Sequence, residues 1–289
     1  MIAVTGANGQ LGRLVLKHLA HLTDAPIRAL VRSPDKAHDL ASAQVTVVKG
    51  DYDDPAGLPA ALDGVSRLLM ISGSEVGKRV PQHSAVIEAA KAAGVAFITY
   101  TSLLNVPASS LMLGTEHAET ERLLLESGIP HAVLRNGWYV ENFAGTVAAA
   151  LAHGAVVGAS GDGKFAAAGR EDYAEAAARI VSGGDLSTRA LELAGHPAFS
   201  LGDLAAELSR QSGREIPFNN LPEDAYAGIL VQAGLPEGFA KVLADADRGA
   251  AQGELFNAST ALEDLIGHPT KSLGDFIAET LNATQTQPA

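Results

Sequence analysis

Three glycines near the amino end have the spacing of a phosphate-binding turn. Gly6, Gly9 and Gly12 follow a short apolar run and precede a stretch with helical periodicity. In such a turn the first glycine permits a tight bend, the second lets the backbone approach a pyrophosphate, and the third lets the helix pack closely on the strand. The N–H groups at the start of that helix can bind anionic phosphates. The predicted dinucleotide site is lined by Gly6, Ala7, Asn8, Gly9, Gln10 and Leu11.

A basic residue follows at the point where the adenosine ribose would lie. Arg32 ends the second predicted strand, about twenty residues after the glycine turn, where NAD-specific proteins usually have an acidic residue. A guanidinium instead suits a 2′-phosphate, because of its charge and its forked geometry. Arg32 therefore favours NADP(H) as the cofactor. A solvated arginine at a strand end is the alternative, and nearby Asp35 would weaken the preference.

Two further turns lie at the predicted carboxyl edge of the sheet. Asp51 follows the third predicted strand and is placed to hydrogen-bond an adenine. Ser72, Gly73 and Ser74 close the fourth strand, where small residues let a cofactor pass close to the backbone. Either segment also fits ordinary turn chemistry. We include all four residues in the predicted cofactor site.

The acid–base pair of the usual short-chain dehydrogenases is missing. Reduction of a carbonyl needs a phenol of lowered pKa, which those enzymes supply as Tyr-x-x-x-Lys. Tyr100 is followed four residues later by Leu104. On the next predicted helix, His117 takes the lysine position and Leu113 the tyrosine position, which excludes the ordinary mechanism. His117 could donate a hydrogen bond to a cofactor or substrate oxygen, or it could be an exposed residue among the glutamates of its helix.

The segment after the sixth predicted strand combines amide and aromatic side chains. It lies at the carboxyl edge of the sheet, where ligands bind in doubly wound folds. Asn136, Gly137, Trp138, Tyr139 and Asn142 all lie in this segment, and its aromatic faces could stack on a ligand. Trp138, the single tryptophan, fits either a pocket wall or core packing between two lobes. The same choice is open for Tyr139 and Asn142.

Short apolar runs alternate with amphipathic stretches through the first half of the chain. This alternation predicts parallel βαβ units and a Rossmann-type, doubly wound α/β sheet that is covered on both faces. The predicted strands are 2–5, 27–32, 44–48, 67–71, 96–101 and 131–134, and the predicted helices are 12–21, 80–93 and 115–127.

The elements become more mixed after Gly137. We predict helices at 139–152, 171–182 and 201–212, a strand at 189–194, and further helices within 221–247 and 259–281, separated by a loop at 249–253. The chain is thus expected to have an NADP-binding Rossmann domain at 1–135. A smaller, mixed substrate-binding lobe is expected at 136–289, with some of its elements returning to the sheet.

Composition narrows the functional classes. The formal net charge of −12 over 289 residues would repel phosphate backbones, so general nucleic-acid binding is not expected. The absence of cysteine excludes disulfides and thiol chemistry and makes the cytoplasm the default compartment. No segment approaches the roughly 20 apolar residues of a membrane span, and the histidines fit no metal-ligand spacing. Neither membrane insertion nor a metal site is expected, and a homo-oligomer is left open.

Six motifs spread along the chain occur together: TGANGQLG at 5–12, SEVG at 74–77, YTSLL at 100–104, LRNGWY at 134–139, GDGK at 161–164 and IGHPT at 266–270. The combination resembles the NmrA-like atypical short-chain dehydrogenases, and within them the bacterial type 2 NAD(P)H:quinone oxidoreductases. The similarity extends almost from end to end and is more specific than any one motif. Asn8 departs from the family's usual threonine, yet it stays small and polar.

This resemblance implies a two-lobed protein that binds NADPH without FAD and passes electrons to a small-molecule quinone. Its cofactor residues would fall on the glycine turn, on Arg32, on 72–74 and on the 136–142 segment. Arg170 would approach the cofactor from the second lobe.

The resemblance also bears on the missing acid–base pair. A quinone is already a strong hydride acceptor, so a Tyr-Lys acid is less necessary than for a ketone. His117, Tyr139 and Asn142 would then be the candidates for catalysis. The loss of the pair is equally compatible with an NADP(H)-binding redox sensor without turnover. Reductases of the isoflavone type are less similar, because they use the lysine that is His117 here.

Overall fold

The computed structural model describes residues 1–286. Strands and helices alternate through the first half of the chain, as the apolar runs predict. They are β1 (Ile2–Val4), α1 (Gln10–Leu22), β2 (Ile27–Val31), β3 (Val45–Lys49), α2 (Leu58–Ala61), β4 (Arg67–Met70), α3 (Arg79–Ala92), β5 (Phe97–Leu103), α4 (Met112–Ser127) and β6 (His131–Asn136).

The second half contains shorter strands between helices. These elements are α5 (Ala144–His153), β7 (Val156–Gly158), β8 (Lys164–Phe165), α6 (Arg170–Ser182), β9 (Arg189–Leu193), β10 (Phe199–Ser200), α7 (Leu201–Ser212), β11 (Phe218–Asn220), α8 (Glu223–Gln232), α9 (Glu237–Ala251), α10 (Ala261–Ile266) and α11 (Leu273–Thr286).

The main sheet has the strand order β3-β2-β1-β4-β5-β6-β9, and each pair of neighbours is parallel. The order reverses direction between β1 and β4, which is the place where dinucleotides bind in Rossmann sheets. The predicted doubly wound α/β fold is therefore confirmed. β9 comes from the second half of the chain and adds the last strand beside β6.

Helices cover both faces of the main sheet. On one face α1 packs against α6, and Val15 and Leu19 of α1 are fully buried there. On the other face α3 and α4 bury Ile87 and Leu124 against the strands. Burial of each such aliphatic side chain stabilises the fold by about 1.5–3 kcal/mol. The packing of the two helix layers thereby fixes where the helices begin relative to the ends of the strands.

A separate apolar core holds the elements that we call the second lobe, namely α5, β7, β8, β10, α7, β11, α8, α9 and α11. Phe143 and Phe165 meet edge to face at 5.1 Å between ring centroids, and Phe143 meets Phe199 in the same way at 5.4 Å. Two small sheets, β10 with β8 and β11 with β7, flank this core. Within residues 1–286, none of the helices combines the length and the apolar character that a membrane crossing needs.

One predicted loop is wrong. Residues 249–251 belong to the last turn of α9, although a loop was expected at 249–253. A Cβ atom on Gly249 would lie 2.3 Å from Cδ2 of Leu111. Gly249 is therefore a packing glycine inside a helix, which permits a close approach of Leu111, and it does not end the helix.

Candidate cofactor and substrate site

The glycine turn joins β1 to α1. Gly6 has a φ of 59°, in the left-handed region that favours glycine, and α1 begins at Gln10. A Cβ atom on Gly12 would lie 2.4 Å from the carbonyl oxygen of Gly6 and 2.7 Å from Cα of Ala7. Only glycine therefore lets the start of α1 lie against the turn without a shift of the backbone.

The first N–H groups of α1 are free to bind an anion. Within the described residues, the backbone N–H groups of Gln10 and Leu11 donate to no acceptor, and no side chain caps the helix. The Asn8 side chain is occupied, because Oδ1 accepts from Arg13 Nη2 at 2.5 Å and Nδ2 donates to the carbonyl of Lys36 at 3.4 Å. Free donors beside a cradle that only glycine permits fit the pyrophosphate of a dinucleotide.

Arg32 extends from the end of β2 and is opposed by a carboxylate. Its side chain is 70% exposed, and its Nη1 lies 3.2 Å from Oε1 of Glu75, which follows the exposed Ser74. The second oxygen of Glu75 pairs with Lys78 Nζ at 3.0 Å. The acidic partner of Arg32 is thus Glu75 and not the neighbouring Asp35.

Asp51 lies in a tight turn after β3. Its Oδ1 accepts the backbone N–H of Asp53 at 3.1 Å, which leaves the other oxygen for a ligand. The next residue, Tyr52, ties this turn to the neighbouring strands, because its hydroxyl lies 2.5 Å from Thr5 Oγ1 and 2.8 Å from the carbonyl of Ile71. The turns after β1, β3 and β4 therefore meet at one edge of the sheet.

The segment after β4 is held in place through its backbone. The N–H of Ser72 donates to Thr101 Oγ1 on β5 at 2.9 Å, and the N–H of Gly73 donates to Nε2 of His83 on α3 at 2.9 Å. The carbonyl of Gly73 accepts from Arg79 Nε at 2.7 Å. Both backbone polar groups of Gly73 are therefore used, which fixes the surface that this segment presents.

The hydrogen bonds around His83 determine its tautomer. Because Gly73 donates to Nε2, the proton is on Nδ1, which donates to Thr120 Oγ1 at 2.9 Å. Thr120 in turn donates to the carbonyl of Glu116 at 2.9 Å. Burial lowers the pKa of His83 to about 3, and the charge of Arg79 adds to this effect. His83 is therefore a neutral link between α3, α4 and the segment after β4.

A buried ion pair lies beside this link. Arg79 Nη1 is 3.0 Å from Glu116 Oε2, with 7% and 13% of the two side chains exposed. The other oxygen of Glu116 accepts the N–H of Gly77 at 2.9 Å. Arg79 and Glu116 thus anchor both ends of the 73–77 segment.

His117 is buried and faces β5. The alternative that it is an exposed residue of its helix is therefore wrong. His117 is 5% exposed, and its Nδ1 lies 2.7 Å from the hydroxyl of Tyr100. Burial lowers its pKa well below the ordinary value, and Arg79 and His83 add to this effect. One turn earlier on α4, Leu113 packs against the core of the second lobe. The chain therefore has a buried Tyr–His pair, built from different elements than the missing Tyr-Lys pair.

The segment after β6 lies against the second half of the chain. Asn136 is buried, its Nδ2 donates to the Tyr139 hydroxyl at 3.4 Å, and its Oδ1 finds no partner in the described residues. A Cβ atom on Gly137 would lie 2.3 Å from the carbonyl oxygen of Ala166. Trp138 is half-buried, and its buried part packs against the core of the second lobe.

Arg170 brings together two of the candidates for catalysis. Its guanidinium carbon lies 4.8 Å from the ring centroid of Tyr139, and its Nη2 lies 3.5 Å from Asn142 Oδ1. Its backbone N–H donates to the Glu141 carboxylate at 3.0 Å. Arg170 starts α6, which packs against α1 on one face of the main sheet.

The predicted residues therefore form two groups. His117 belongs to the cluster between α3, α4 and β5, whereas Tyr139, Asn142 and Arg170 form the other. Within residues 1–286 no hydrogen bond or ring contact joins His117 to Tyr139 or Asn142.

Sequence reasoning missed Arg79, His83 and the role of Tyr100. Arg79 and His83 are four residues apart, which places them on one face of α3. Both are buried there. The available signal was the position of these two polar residues on the helix face that packs against the core.

The Rossmann sheet, the glycine cradle with free N–H donors and the arginine after β2 define a dinucleotide-binding protein of the short-chain dehydrogenase class. More narrowly, the chain belongs to the NmrA-like family, whose model matches residues 1–273.

Individual relatives are similar over nearly their whole length. Quinone oxidoreductase 2 of Escherichia coli (strain K12) is 52% identical over 283 residues, which covers 98% of this chain and 99% of the relative. A crystal structure of the Escherichia coli NADPH-dependent quinone oxidoreductase complexed with NADPH superposes with a TM-score of 0.95, covering 98% and 100% of the two chains at 52% identity. The Citrobacter sp. triphenylmethane reductase complexed with NADP(H) has a TM-score of 0.92 at 34% identity, covering 97% and 100%.

Proposed function

We propose that this chain is an NADPH-dependent, flavin-independent quinone reductase. The observation that carries the proposal is the glycine cradle with Arg32 beside it, in a chain 52% identical to quinone oxidoreductase 2 over 98% of its length. The cradle accounts for a dinucleotide, and the exposed guanidinium accounts for its 2′-phosphate. The long similarity accounts for the quinone.

The cofactor would lie along the carboxyl edge of the main sheet. Its pyrophosphate would take the free N–H groups that begin α1, and Asp51 would bind the adenine through its free carboxylate oxygen. Arg170 would reach it from the start of α6. The remaining positions in this proposal are Gly6, Ala7, Asn8, Gly9, Gln10, Leu11, Arg32, Ser72, Gly73, Ser74, Asn136, Gly137 and Trp138.

The division of the chain follows from this placement. We propose that 1–135 form the cofactor domain and that the later residues provide the substrate lobe, with α6, β9 and α10 joined to the main sheet. β9 extends that sheet, and α10 packs against α6 and β9.

The chemistry needs little from the protein beyond binding and orientation. NADPH, when bound, supplies the hydride that reduces a quinone to the hydroquinone. Tyr139 offers a half-buried aromatic ring that contacts of Arg170 and Tyr173 hold in place. Asn142 offers an amide beside it, and His117 offers a neutral imidazole that can donate a hydrogen bond to a quinone oxygen.

The test is oxidation of NADPH and NADH by purified, flavin-free protein over a panel of simple quinones, with Arg32→Asp beside the wild type. We expect wild-type turnover with NADPH. We expect Arg32→Asp to lower the ratio of kcat/KM for NADPH over NADH by about 10- to 100-fold, because a charge-assisted contact is replaced by repulsion. Arg210→Asp is the matched control, since its side chain is 68% exposed and also ion-paired, but on α7.

Two outcomes would contradict the proposal. Tight NADPH binding without turnover on any quinone would favour the redox sensor. An unchanged cofactor ratio in Arg32→Asp would remove Arg32 from the 2′-phosphate site.

A further inference from the structure

Two buried histidines lie on either side of Tyr100 and are held by hydrogen bonds. His83 accepts at Nε2 from a backbone N–H and donates from Nδ1 to Thr120. His117 meets the Tyr100 hydroxyl at Nδ1, at 2.7 Å. The ring of Tyr100 lies between them, with centroids 5.4 Å from His83 and 5.9 Å from His117.

We propose that Tyr100 is a positioning residue that fixes His117 in the tautomer with its proton on Nε2, so that the neutral imidazole donates a hydrogen bond to the quinone oxygen. The inference rests on the proposed function and adds to it the residue that sets the state of the donor.

The direction of the Tyr100–His117 hydrogen bond follows from the needs of a buried phenol. Tyr100 is fully buried, so its O–H requires an acceptor. The acceptor in direct hydrogen-bond contact is Nδ1 of His117. Thr120 Oγ1 lies nearby and keeps one lone pair, but it already accepts from His83 and donates to Glu116, and the 2.7 Å contact of the phenol is with His117. When Nδ1 accepts, the proton of a neutral imidazole is on Nε2.

The Nε2 atom of His117 is the free end of this chain of hydrogen bonds. No residue of the described part of the protein accepts from it. His117 keeps 5% of its surface exposed, and Nε2 is not sealed from solvent. Such a donor suits a ligand oxygen, because its orientation is fixed by the hydrogen bond at Nδ1 and no protein group competes for its proton.

Burial keeps the imidazole of His117 neutral by lowering its pKa, and the charge of Arg79 adds to this effect. Arg79 and His83 face it from α3 and Tyr100 faces it from β5, while Glu116 on its own helix is paired with Arg79. His117 therefore serves as a hydrogen-bond donor and not as an acid. The balance of the reaction is one hydride from NADPH and one proton from solvent, which together convert the quinone to the hydroquinone.

The first test is ¹⁵N NMR of the histidine side chains in the full-length protein. We expect the His117 proton on Nε2, without titration between about pH 5 and 8, and a mixture of tautomers in Tyr100→Phe. A wild-type proton on Nδ1 would overturn the proposal. This measurement needs no turnover. It therefore tests the tautomer of His117 independently of whether the protein reduces quinones.

The second test is a double-mutant cycle with His117→Gln, whose amide nitrogen can replace the Nε2 donor without a tautomer. We expect Tyr100→Phe to lower kcat about tenfold in the wild-type background, as the loss of one aligned hydrogen bond implies, with KM for NADPH unchanged. In the His117→Gln background the same change should have no effect on kcat. Tyr226→Phe, at a buried tyrosine on α8, is the matched control and should leave kcat unchanged.

Two kinetic results would overturn the proposal. An equal loss of kcat in both backgrounds would mean that Tyr100 acts only through packing. A rise in KM for NADPH with unchanged kcat would mean that the donor contacts the cofactor and not the quinone.

Discussion

Arg32 forms an ion pair with a carboxylate, which a 2′-phosphate at this position would have to displace. Its Nη1 lies 3.2 Å from Glu75, in an ion pair of which the arginine is 70% exposed. A pair in that setting is worth about 0–1 kcal/mol, whereas a guanidinium binds phosphate through two hydrogen bonds and a larger charge. We therefore expect the 2′-phosphate to replace Glu75 at a small cost in affinity.

Removal of that carboxylate should strengthen NADPH binding. In Glu75→Gln we expect the Kd for NADPH to fall about two- to fivefold, within the range of an exposed ion pair, and the Kd for NADH to stay unchanged. Fluorescence titration of both cofactors measures the two constants. Glu207→Gln, which removes the carboxylate from the exposed Arg210 pair on α7, is the control. An equal shift for NADPH and NADH would show that Glu75 does not act through Arg32.

The residue scale also shows what a sequence can predict. Gly6 and Gly12 could be predicted as turn residues from type and spacing, because the turn that they build is local. The role of Arg32 at a 2′-phosphate stays a prediction. The contact of Tyr100 with His117 could not be predicted, since it joins a strand to the next helix across 17 positions and leaves no periodic signal. The same limit applies to Glu75 opposite Arg32.

At the scale of elements, the proposed dinucleotide site depends on the junction of β1 with α1. The helix starts against the turn because Gly12 has no side chain, and its free N–H groups are presented there. A methyl group at position 12 would lie 2.4 Å from the carbonyl oxygen of Gly6, so the helix must move away.

Gly12→Ala should therefore cost both stability and binding. We expect the free energy of unfolding to fall by about 1–3 kcal/mol, as in other overpacked sites, and NADPH affinity to fall with it. Urea denaturation and cofactor titration provide the two measurements. Gly145→Ala on α5 is the matched control, because its Cβ would meet nothing within 4 Å, and stability there should hold or rise by up to about 1 kcal/mol. Equal effects of the two variants would contradict this account of the junction.

Elements with strong periodicity could be predicted from the sequence to within a few residues. The strands of the main sheet and α1, α3 and α4 are examples, since each has a clear buried face. The end of α9 was missed because Gly249 suggests a loop in isolation. Position 249 requires glycine because Leu111, from a distant part of the chain, packs against it.

At the scale of the whole molecule, the site is joined to the core through histidines that stay neutral. Burial lowers the pKa of His83 to about 3, against 6.5 for the free group, and lowers the pKa of His117 in the same direction. The unfolded chain takes up protons below about pH 6.5 that the folded chain does not, so the free energy of unfolding falls as the pH drops.

Acid should therefore destabilise the protein already between pH 7 and 5, above the range in which an ordinary carboxylate is protonated. Between pH 7 and 5 we expect a loss of about 2 kcal/mol from His83 and a further loss in the same direction from His117. Asp247 opposes it by about 1 kcal/mol, because burial raises its pKa to about 6. Urea denaturation at both pH values is the measurement. His83→Gln should reduce the loss and the exposed His21→Gln should not, whereas a constant free energy of unfolding across this interval would contradict the account.

The overall division of the molecule is only partly visible in the sequence. After Gly137 the regular alternation of predicted strands and helices gives way to mixed elements. This is a local pattern, so it could be predicted from the sequence. The aromatic core of the second lobe could not, because Phe143, Phe165 and Phe199 come from three separate elements. Nor does any local signal show that β9 joins the main sheet beside β6.

The central claim, direct reduction of a quinone by NADPH on this chain, is tested most directly by a single turnover. Flavin-free protein loaded with one equivalent of NADPH is mixed rapidly with a simple quinone, and NADPH absorbance is followed together with hydroquinone formation. The account predicts that one equivalent of NADPH disappears and one equivalent of hydroquinone appears. NADPH that persists on the protein, or that is consumed only after flavin is added, would contradict it.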